Sequence, residues 1–153
     1  MIKEQIQQLA KKYAPQFIEV RRQLHSNPEL SYKEFETSAF VQKKLAELGI
    51  PFDVKANTGV MGLIKGKNPD KEIVALRADM DALPILEENE VTYKSRNPGI
   101  MHACGHDVHT TCLLGAAKIL NELKGEWEGT VKLIFQPGEE KNPGGASLLI
   151  KEG

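Results

Sequence analysis

The spacing of the apolar residues changes repeatedly along this chain, and this alternation restricts the folds that it can adopt. Some segments repeat an apolar residue every three or four positions, as amphipathic helices do. Others are short apolar runs bounded by Gly, Asn, Pro or Asp, as strands are. The pattern predicts helices over 2–24, 35–48 and 107–124 and from 144 onward, with strands over 60–64, 73–76 and 130–135.

Single residues refine these boundaries. Pro15 lacks a backbone N–H donor, so we expect it to divide the first helix. Gly49 stands where the second helix needs a C-cap, and Asp107 can cap the start of the third helix. Cys112 falls on the apolar face of that third helix, which predicts a place in the core. The polar residues 86–99 show no period and are expected to form a loop.

Helices that alternate with strands favour an α/β fold. The turn-rich residues 66–70 separate strands 60–64 and 73–76, so we expect these two strands to be neighbours in a hairpin. We predict a mixed, mostly parallel sheet packed between helices. In such sheets the chemistry collects beyond the carboxyl ends of the strands, so that edge is expected to carry the reactive side chains.

The composition excludes several classes of protein. A chain of 153 residues with 41% hydrophobic residues can bury a core, which argues against disorder. A net charge of −1 gives no reason to expect nucleic acid as a partner, and two cysteines are too few for a disulfide scaffold. The N-terminus lacks the apolar core of a signal peptide, and no apolar run reaches the roughly 18 residues of a membrane span. We therefore expect a cytoplasmic protein with no membrane partner.

The first candidate site directly follows strand 73–76. Asp79 and Asp81 stand two positions apart, so on an extended chain their carboxylates point to the same side. The two carboxylates can share a cation, or one of them can orient a metal ligand. A solvated turn explains this pair equally well, because Asp is common in turns.

The second candidate site, residues 101–109, contains three of the chain's four histidines and one of its two cysteines. Cys104 and His106 flank Gly105, so a tight turn can bring both side chains to one point. Cysteine and histidine are the ligands that select zinc and similar transition metals. The alternative is a buried free cysteine and an Asp cap beside surface histidines, and the clustering favours the metal site.

The third candidate site is the Glu139-Glu140 pair, which comes directly after strand 130–135. Adjacent side chains on an extended chain point in different directions, so one glutamate can bind a metal while the other reaches a water molecule. Metal-assisted hydrolysis requires this division between a Lewis acid and a general base. A solvated pair in a loop is the alternative for these two residues taken alone.

Four segments of the chain carry a family resemblance. They are Arg-Arg-Gln-Leu-His-Ser-Asn-Pro-Glu-Leu (21–30), Arg-Ala-Asp-Met-Asp-Ala-Leu-Pro (77–84), Met-His-Ala-Cys-Gly-His-Asp (101–107) and Phe-Gln-Pro-Gly-Glu-Glu (135–140). In this order they resemble the amidohydrolase branch of the aminoacylase/carboxypeptidase metallopeptidase family. That branch contains hippurate hydrolases, N-acyl-amino-acid amidohydrolases, N-acetyldiaminopimelate deacetylases and plant auxin-conjugate hydrolases. The resemblance implies a zinc-peptidase-like catalytic domain.

The resemblance also implies roles for individual residues. Cys104, His106 and Glu140 correspond to metal ligands of the family. Glu139 corresponds to the general base, and Asp81 to the carboxylate that orients a ligand. His25 lies in one of the matching segments but is not assigned as a ligand. The residues expected to line the pocket or support the ligands are Asp79, His102, Asp107 and His109.

The activity implied by the resemblance is hydrolysis of the amide bond of a small N-acyl amino acid, of the hippurate or N-acetyl-amino-acid type. A metal-activated water attacks the amide, and Glu139 serves as general base. The implied cofactor is a pair of divalent metal ions in each complete site. Zinc is the first expectation, with manganese, cobalt and nickel as alternatives.

The resemblance implies a protein longer than residues 1–153. The family takes two more histidine ligands, and an inserted domain used in dimerisation and substrate closure, from positions that correspond to residues beyond Gly153. We therefore expect 1–153 to be the N-terminal part of an incomplete catalytic domain that forms a homodimer at full length. The alternative is a catalytically inactive fragment that binds metal or associates with another chain.

Overall fold

The computed structural model describes residues 1–153 and consists of four helices and one four-stranded sheet, which confirms the α/β class. No helix combines the length and the apolar character needed to cross a membrane. A first short strand was not predicted, and the other elements occupy the predicted segments. In chain order they are α1 (Ile2–Ser26), α2 (Phe35–Glu47), β1 (Phe52–Lys55), β2 (Gly59–Lys65), β3 (Ile73–Asp79), α3 (His106–Glu122), β4 (Thr130–Gln136) and α4 (Gly145–Lys151).

The sheet has the strand order β1-β2-β4-β3 and is mixed, as predicted. The prediction that it is mostly parallel is wrong, because β1-β2 and β2-β4 are antiparallel and only β3-β4 is parallel. The predicted hairpin is also wrong, since β4 lies between β2 and β3. The strand β4 is buried or half-buried along its whole length, which suits a central position between two neighbours.

The core lies between one face of the sheet and helices α1, α2 and α3. Alternate residues of β2 and β4 point into it, which is the period of a strand. The short helix α4 lies against the opposite face, where Leu149 is buried close to Gly59. The sheet is thus packed between helices, as predicted. The buried apolar residues of the core are Val20, Leu24, Val41, Leu45, Ile50, Val60, Ile64, Ala78, Met80, Leu113, Leu114, Ala117, Val131, Leu133 and Phe135.

Two predictions about the helices are wrong. The helix α1 continues through Pro15, which is exposed, so the carbonyl that loses its N–H partner can bind water instead. Cys112 is exposed and does not belong to the core. The face of α3 that packs on the sheet is formed by Leu113, Leu114 and Ala117, which turns the neighbouring Cys112 toward solvent.

The parallel pairing of β3 with β4 determines where the candidate site lies. Asp79 at the end of β3 pairs with Gln136 at the end of β4, and the Met80 N–H donates to the Gln136 carbonyl at 3.0 Å. The start of α3 is held at the same edge, because the Thr110 hydroxyl donates to the Asp79 carbonyl at 2.9 Å. The three segments that carry the candidate residues therefore meet at the carboxyl ends of β3 and β4.

Candidate metal centre

Cys104, His106 and Glu140 meet at this edge, and we refer to them as the ligand cluster. One potential ligand atom from each of them lies within 4.8 Å of those of the other two. His106 is buried, whereas Cys104 and Glu140 are exposed. Gly105 has a φ of 87°, a conformation that side chains with a Cβ rarely adopt, and it turns the chain into α3 between the two ligands.

The ring of His106 is oriented by Asp81. Its Nδ1 lies 2.9 Å from the Asp81 carbonyl oxygen and 3.2 Å from Oδ1. Both oxygens only accept hydrogen bonds, so Nδ1 carries the proton and Nε2 faces the cluster, 3.9 Å from Glu140 Oε1. A carboxylate behind a histidine is the usual device that orients a metal-binding imidazole.

Asp81 is 1% exposed and connects the parts of the site. Its Oδ2 accepts from the Ser31 hydroxyl at 2.6 Å and from the Glu140 backbone N–H at 3.0 Å. Burial opposes ionisation, but hydrogen bonds from His106, Ser31 and the backbone of Glu140 and Glu139 hold the Asp81 pKa at about 2. Burial lowers the pKa of His106, and its contacts with Asp81 outweigh that effect and raise it.

The thiol of Cys104 faces negative charge. Its pKa is raised first by the hydrogen bond with Glu140, then by burial and by the charges of Glu140, Glu139 and Asp81. A divalent ion would reverse this effect, because coordination to a metal stabilises the thiolate. A thiol, an imidazole nitrogen and a carboxylate form a donor set that suits zinc, so these residues fit the metal that the sequence predicts. Glu139 is exposed and stands next to the cluster without belonging to it.

A second group of potential ligands shares a residue with the first. Ligand atoms of Asp79, His106 and His109 also lie within 4.8 Å of one another. Since Nδ1 of His106 is engaged by Asp81, both groups compete for the same Nε2 atom. Asp79 is in addition paired with Arg77, with 2.5 Å between Oδ1 and Nη2. The ligand cluster is therefore the better metal site of the two.

Asp107 turns away from the ligand cluster. The prediction that it caps α3 is wrong, because the N-cap position is occupied by Gly105 and no side chain caps the helix. The buried carboxylate of Asp107 instead lies 2.8 Å from Arg21 Nε and 2.8 Å from His25 Nδ1. The Arg21 guanidinium and the His25 ring, both on α1, lie against this buried carboxylate, which explains why the side chain points toward α1.

His25 links Asp107 to a second carboxylate. Its Nε2 lies 3.0 Å from Glu87 Oε1, and the Ser95 backbone N–H donates to Glu87 Oε2 at 2.6 Å. Burial opposes ionisation of Glu87, but hydrogen bonds from Ser95, His25 and Asn89 hold its pKa at about 2. We refer to these four buried or half-buried residues as the ionic network: Arg21, His25, Glu87 and Asp107.

His102 lies beside the ionic network and not in the ligand cluster. Its ring centroid is 6.4 Å from that of His25. The side chain is buried, and neither ring nitrogen has a hydrogen-bond partner. Burial is the main reason why its pKa falls to about 4, so the ring is neutral at physiological pH.

The candidate residues selected from the sequence did not include the connector between α1 and α2. Ser31 in this connector contacts Asp81, and Glu34 accepts a hydrogen bond from the Gly138 backbone N–H at 2.8 Å. These contacts join residues that are 50 and 104 positions apart. No local spacing predicts contacts of that range, so only the fold reveals them.

Comparisons with known proteins show the family of this chain. A model of peptidase family M20/M25/M40 matches residues 75–153. The chain is 45% identical over 154 aligned positions to the N-acyl-L-amino acid amidohydrolase of Geobacillus stearothermophilus, an alignment that covers 100% of this chain and 41% of that protein. It is 50% identical over 139 positions to the N-acetyl-L-cysteine deacetylase of Bacillus subtilis, covering 90% of this chain and 33% of that protein.

A solved structure shows the same fold. The YXEP protein of Bacillus subtilis, a dinuclear metal-binding peptidase of the M20 family, superposes on this chain with a TM-score of 0.87 and 41% identity. The match covers 92% of this chain and 40% of that one. The chain thus spans between about a third and two fifths of the length of these three relatives.

Proposed function

Because the chain belongs to peptidase family M20/M25/M40, we propose that it carries metal ligands and the general base of a metal-dependent amidohydrolase. The proposed reaction is hydrolysis of the amide bond of a small N-acyl amino acid. The substrate class is supported by the amidohydrolase and deacetylase among the relatives. The two names differ in the amino acid concerned, so the proposal extends to the class and not to one substrate.

The observation that carries this proposal is the convergence of Cys104, His106 and Glu140 at the carboxyl edge of the sheet. Three different segments supply these residues, and Asp81 orients the ring of His106 from behind. Carboxylates alone are common at protein surfaces, but a thiol and a backed imidazole in the same group are typical of a transition-metal site.

We propose zinc as the metal, held by the ligand cluster, with manganese, cobalt or nickel as alternatives and two ions in a complete site. A divalent ion in this place supplies Lewis-acid chemistry, which polarises a carbonyl oxygen and lowers the pKa of water. The residues of this chain supply the rest. Cys104 and Glu140 provide negative charge toward the ion, and Asp81 holds Nε2 of His106 in the direction of the cluster.

Glu139 is the general base in this proposal. Its carboxylate takes a proton from the attacking water as the water oxygen bonds to the acyl carbon. The same carboxylate then passes the proton to the amide nitrogen as the carbon–nitrogen bond breaks, which yields a carboxylic acid and an amine. Glu139 is exposed next to the ligand cluster, so it can reach a substrate without leaving its place in the loop. A positioned acid–base group of this kind contributes about 10²- to 10⁴-fold to a rate.

A second candidate function is metal binding without hydrolysis, in a module that associates with another chain. One observation favours it: the two groups of potential ligands share His106 and compete for a single nitrogen. The residues described here therefore complete the ligand set of one ion, and not of two. Stoichiometric metal together with turnover supports hydrolysis, whereas metal without turnover supports this second candidate.

The experiment that tests the proposal combines metal analysis with a hydrolysis assay. The chain is loaded with zinc, its metal content is measured by mass spectrometry, and hippurate and N-acetyl amino acids are offered as substrates. We expect Glu139→Gln to keep the metal content and to lower kcat by about 10²-fold or more. A Glu139→Gln variant that hydrolyses at the rate of the unsubstituted chain contradicts the assignment of the base.

Two further expectations belong to this proposal. We propose a cytoplasmic location, which is supported by two free cysteines, since thiols persist in reducing compartments. We also propose a homodimer for the full-length protein, which light scattering can test. Neither nucleic acid nor a membrane is a proposed partner.

A further inference from the structure

The loop that carries Glu139 and Glu140 is fastened to a buried carboxylate. Glu34 is fully buried, and its Oε1 accepts from the Gly138 backbone N–H at 2.8 Å. The same carboxylate accepts from the Tyr32 backbone N–H at 2.9 Å and from the Thr58 hydroxyl at 2.7 Å. A carboxylate without water needs such donors, so its position is determined by them. Gly138, the residue directly before Glu139, is thereby fixed.

Tyr32 fastens the other end of the same loop. Its hydroxyl donates to the Lys141 carbonyl at 2.6 Å and accepts from the Gly144 backbone N–H at 2.9 Å. Its ring lies so close to Gly138 that a Cβ there would come within 2.2 Å of Cε1. Tyr32 has a φ of 65°, which is uncommon for a residue other than glycine and persists only where surrounding contacts determine it.

The connector that holds Tyr32 and Glu34 is itself attached to the site. The Ser31 hydroxyl donates to Asp81 Oδ2, the oxygen that also accepts from the Glu140 backbone N–H. The Ala82 backbone N–H donates to the Glu29 carbonyl at 2.8 Å. One short segment therefore contacts both the residue that orients His106 and the loop that carries the two glutamates.

We propose that residues 29–34 of the α1–α2 connector position Glu139 and Glu140 through the contacts of Tyr32 and Glu34 with residues 137–144. Tyr32 and Glu34 contact the backbone of that loop and no atom of the ligand cluster, so they are positioning residues and not catalytic ones. This inference rests on the proposed function, since it assigns to the connector the task of holding a metal ligand and a base.

The test uses cobalt(II) binding to the chain, followed by optical titration. Tyr32→Phe removes the hydroxyl and keeps the ring against Gly138. We expect it to lower cobalt affinity about 10-fold, in line with the loss of other groups that support metal ligands. The matched control is Tyr13→Phe, because the Tyr13 hydroxyl also donates to an oxygen at 2.6 Å, in this case of Glu122 on the exposed surface. We expect that control to keep its affinity within about twofold.

A double-mutant cycle separates positioning from a general structural effect. If Tyr32 acts through Glu140, the Tyr32→Phe change costs about 10-fold in the unsubstituted chain and less than about threefold in a Glu140→Gln background. An equal loss in both backgrounds overturns the inference. Glu34→Gln is a second variant and is also expected to lower cobalt affinity. The new amide N–H group would face the N–H and O–H donors that the Glu34 carboxylate accepts from.

If no cobalt binds, the proposed function is contradicted, but the role of the connector can still be tested. Amide hydrogen exchange of the metal-free chain then measures whether the connector holds the loop. Tyr32→Phe is then expected to speed exchange of the Gly138 and Glu140 amides about 10-fold or more relative to Tyr13→Phe. Unchanged exchange of these amides overturns the inference, whether or not metal binds.

Discussion

The first two residues of α3 point into two polar regions that differ in their charged partners. His106 belongs to the ligand cluster, where Cys104 meets carboxylates and its pKa is raised. Asp107 belongs to the ionic network, where its carboxylate meets Arg21 and His25. In the network the guanidinium of Arg21 lies against the Asp107 carboxylate, whereas in the cluster no lysine or arginine forms an ion pair with Glu140. The difference favours a structural role for the network, and it is consistent with the proposed metal ion as the cation of the cluster.

Burial separates the two regions in the same way. The side chains of His25, Glu87 and Asp107 are all less than 5% exposed, so any charge left unpaired there is costly. Cys104 and Glu140 are exposed and can exchange water for a ligand at little cost. Variants of the network are therefore expected to change stability, and variants of the cluster to change metal affinity.

The largest expected effect is that of Asp107→Asn. This change leaves Arg21 half-buried without its counterion and removes the carboxylate beside the buried His25 ring, and breaking a buried ion pair costs about 3–5 kcal/mol. Urea denaturation measures the free energy of unfolding. The control is Glu19→Gln, which breaks an exposed ion pair with Arg22 and is expected to cost less than about 1 kcal/mol. A loss below about 1 kcal/mol for Asp107→Asn contradicts the structural role of the network.

The stability of the metal-free chain is expected to depend on pH through two histidines, His102 beside the network and His106 in the cluster. His102, beside the network, has a pKa lowered from 6.5 to about 4 by burial, so the unfolded chain binds more protons between these values. Stability from His102 is complete above about pH 6.5 and falls as the pH drops toward about 4, by up to about 3 kcal/mol. His106, in the cluster, has a raised pKa, so its contribution is complete below about pH 6.5 and is lost as the pH rises through the folded value.

Denaturation at a series of pH values tests both slopes. His102→Asn is expected to flatten the acid slope, and His109→Asn, which changes an exposed histidine of the same segment, is expected to keep it. Retention of the full acid slope in His102→Asn contradicts the assignment. Loss of the slope in the His109 variant does so equally.

The cluster and the network also differ in how far the sequence predicts them. Local spacing selects residues 79–81, 104–106 and 139–140. The structure brings them to one edge because β3 and β4 are parallel neighbours and Thr110 holds the start of α3 against Asp79. This placement does not depend on the wrong hairpin prediction, because residues 79–81 and 139–140 each follow a strand and residues 104–106 lie at the start of a helix. The local pattern therefore predicts the edge correctly, although the predicted hairpin is wrong.

The network could not be predicted from spacing. His25 contacts Glu87 and Asp107 across 62 and 82 positions, and each of these residues is ordinary in its own segment. Asp107 illustrates the difficulty, because an Asp at a helix start is typical of a cap until a buried histidine from another helix is placed beside it. Cys112 is a similar case. It lies at the border of the apolar face of α3 and is exposed, while the neighbouring Leu113 and Leu114 are in the core.

The smallest expected effect is a change in metal affinity. Substitutions of the two cysteines, Cys104 in the loop before α3 and Cys112 in α3, test it. Cys104→Ser replaces a strong ligand by a weak one and is expected to lower cobalt(II) affinity about 10- to 100-fold, or about 1.4–2.7 kcal/mol. Cys112→Ser changes the other free, exposed cysteine, which lies outside both groups of potential ligands, and is expected to keep the affinity.

The spectrum of the cobalt complex identifies the ligand directly. A thiolate bound to cobalt gives a charge-transfer band in the near ultraviolet, which Cys104→Ser is expected to abolish and Cys112→Ser to retain. Because carboxylates raise the pKa of the Cys104 thiol in the absence of metal, binding must also release a proton, and the affinity should rise with pH. A band that survives Cys104→Ser contradicts the assignment of this ligand.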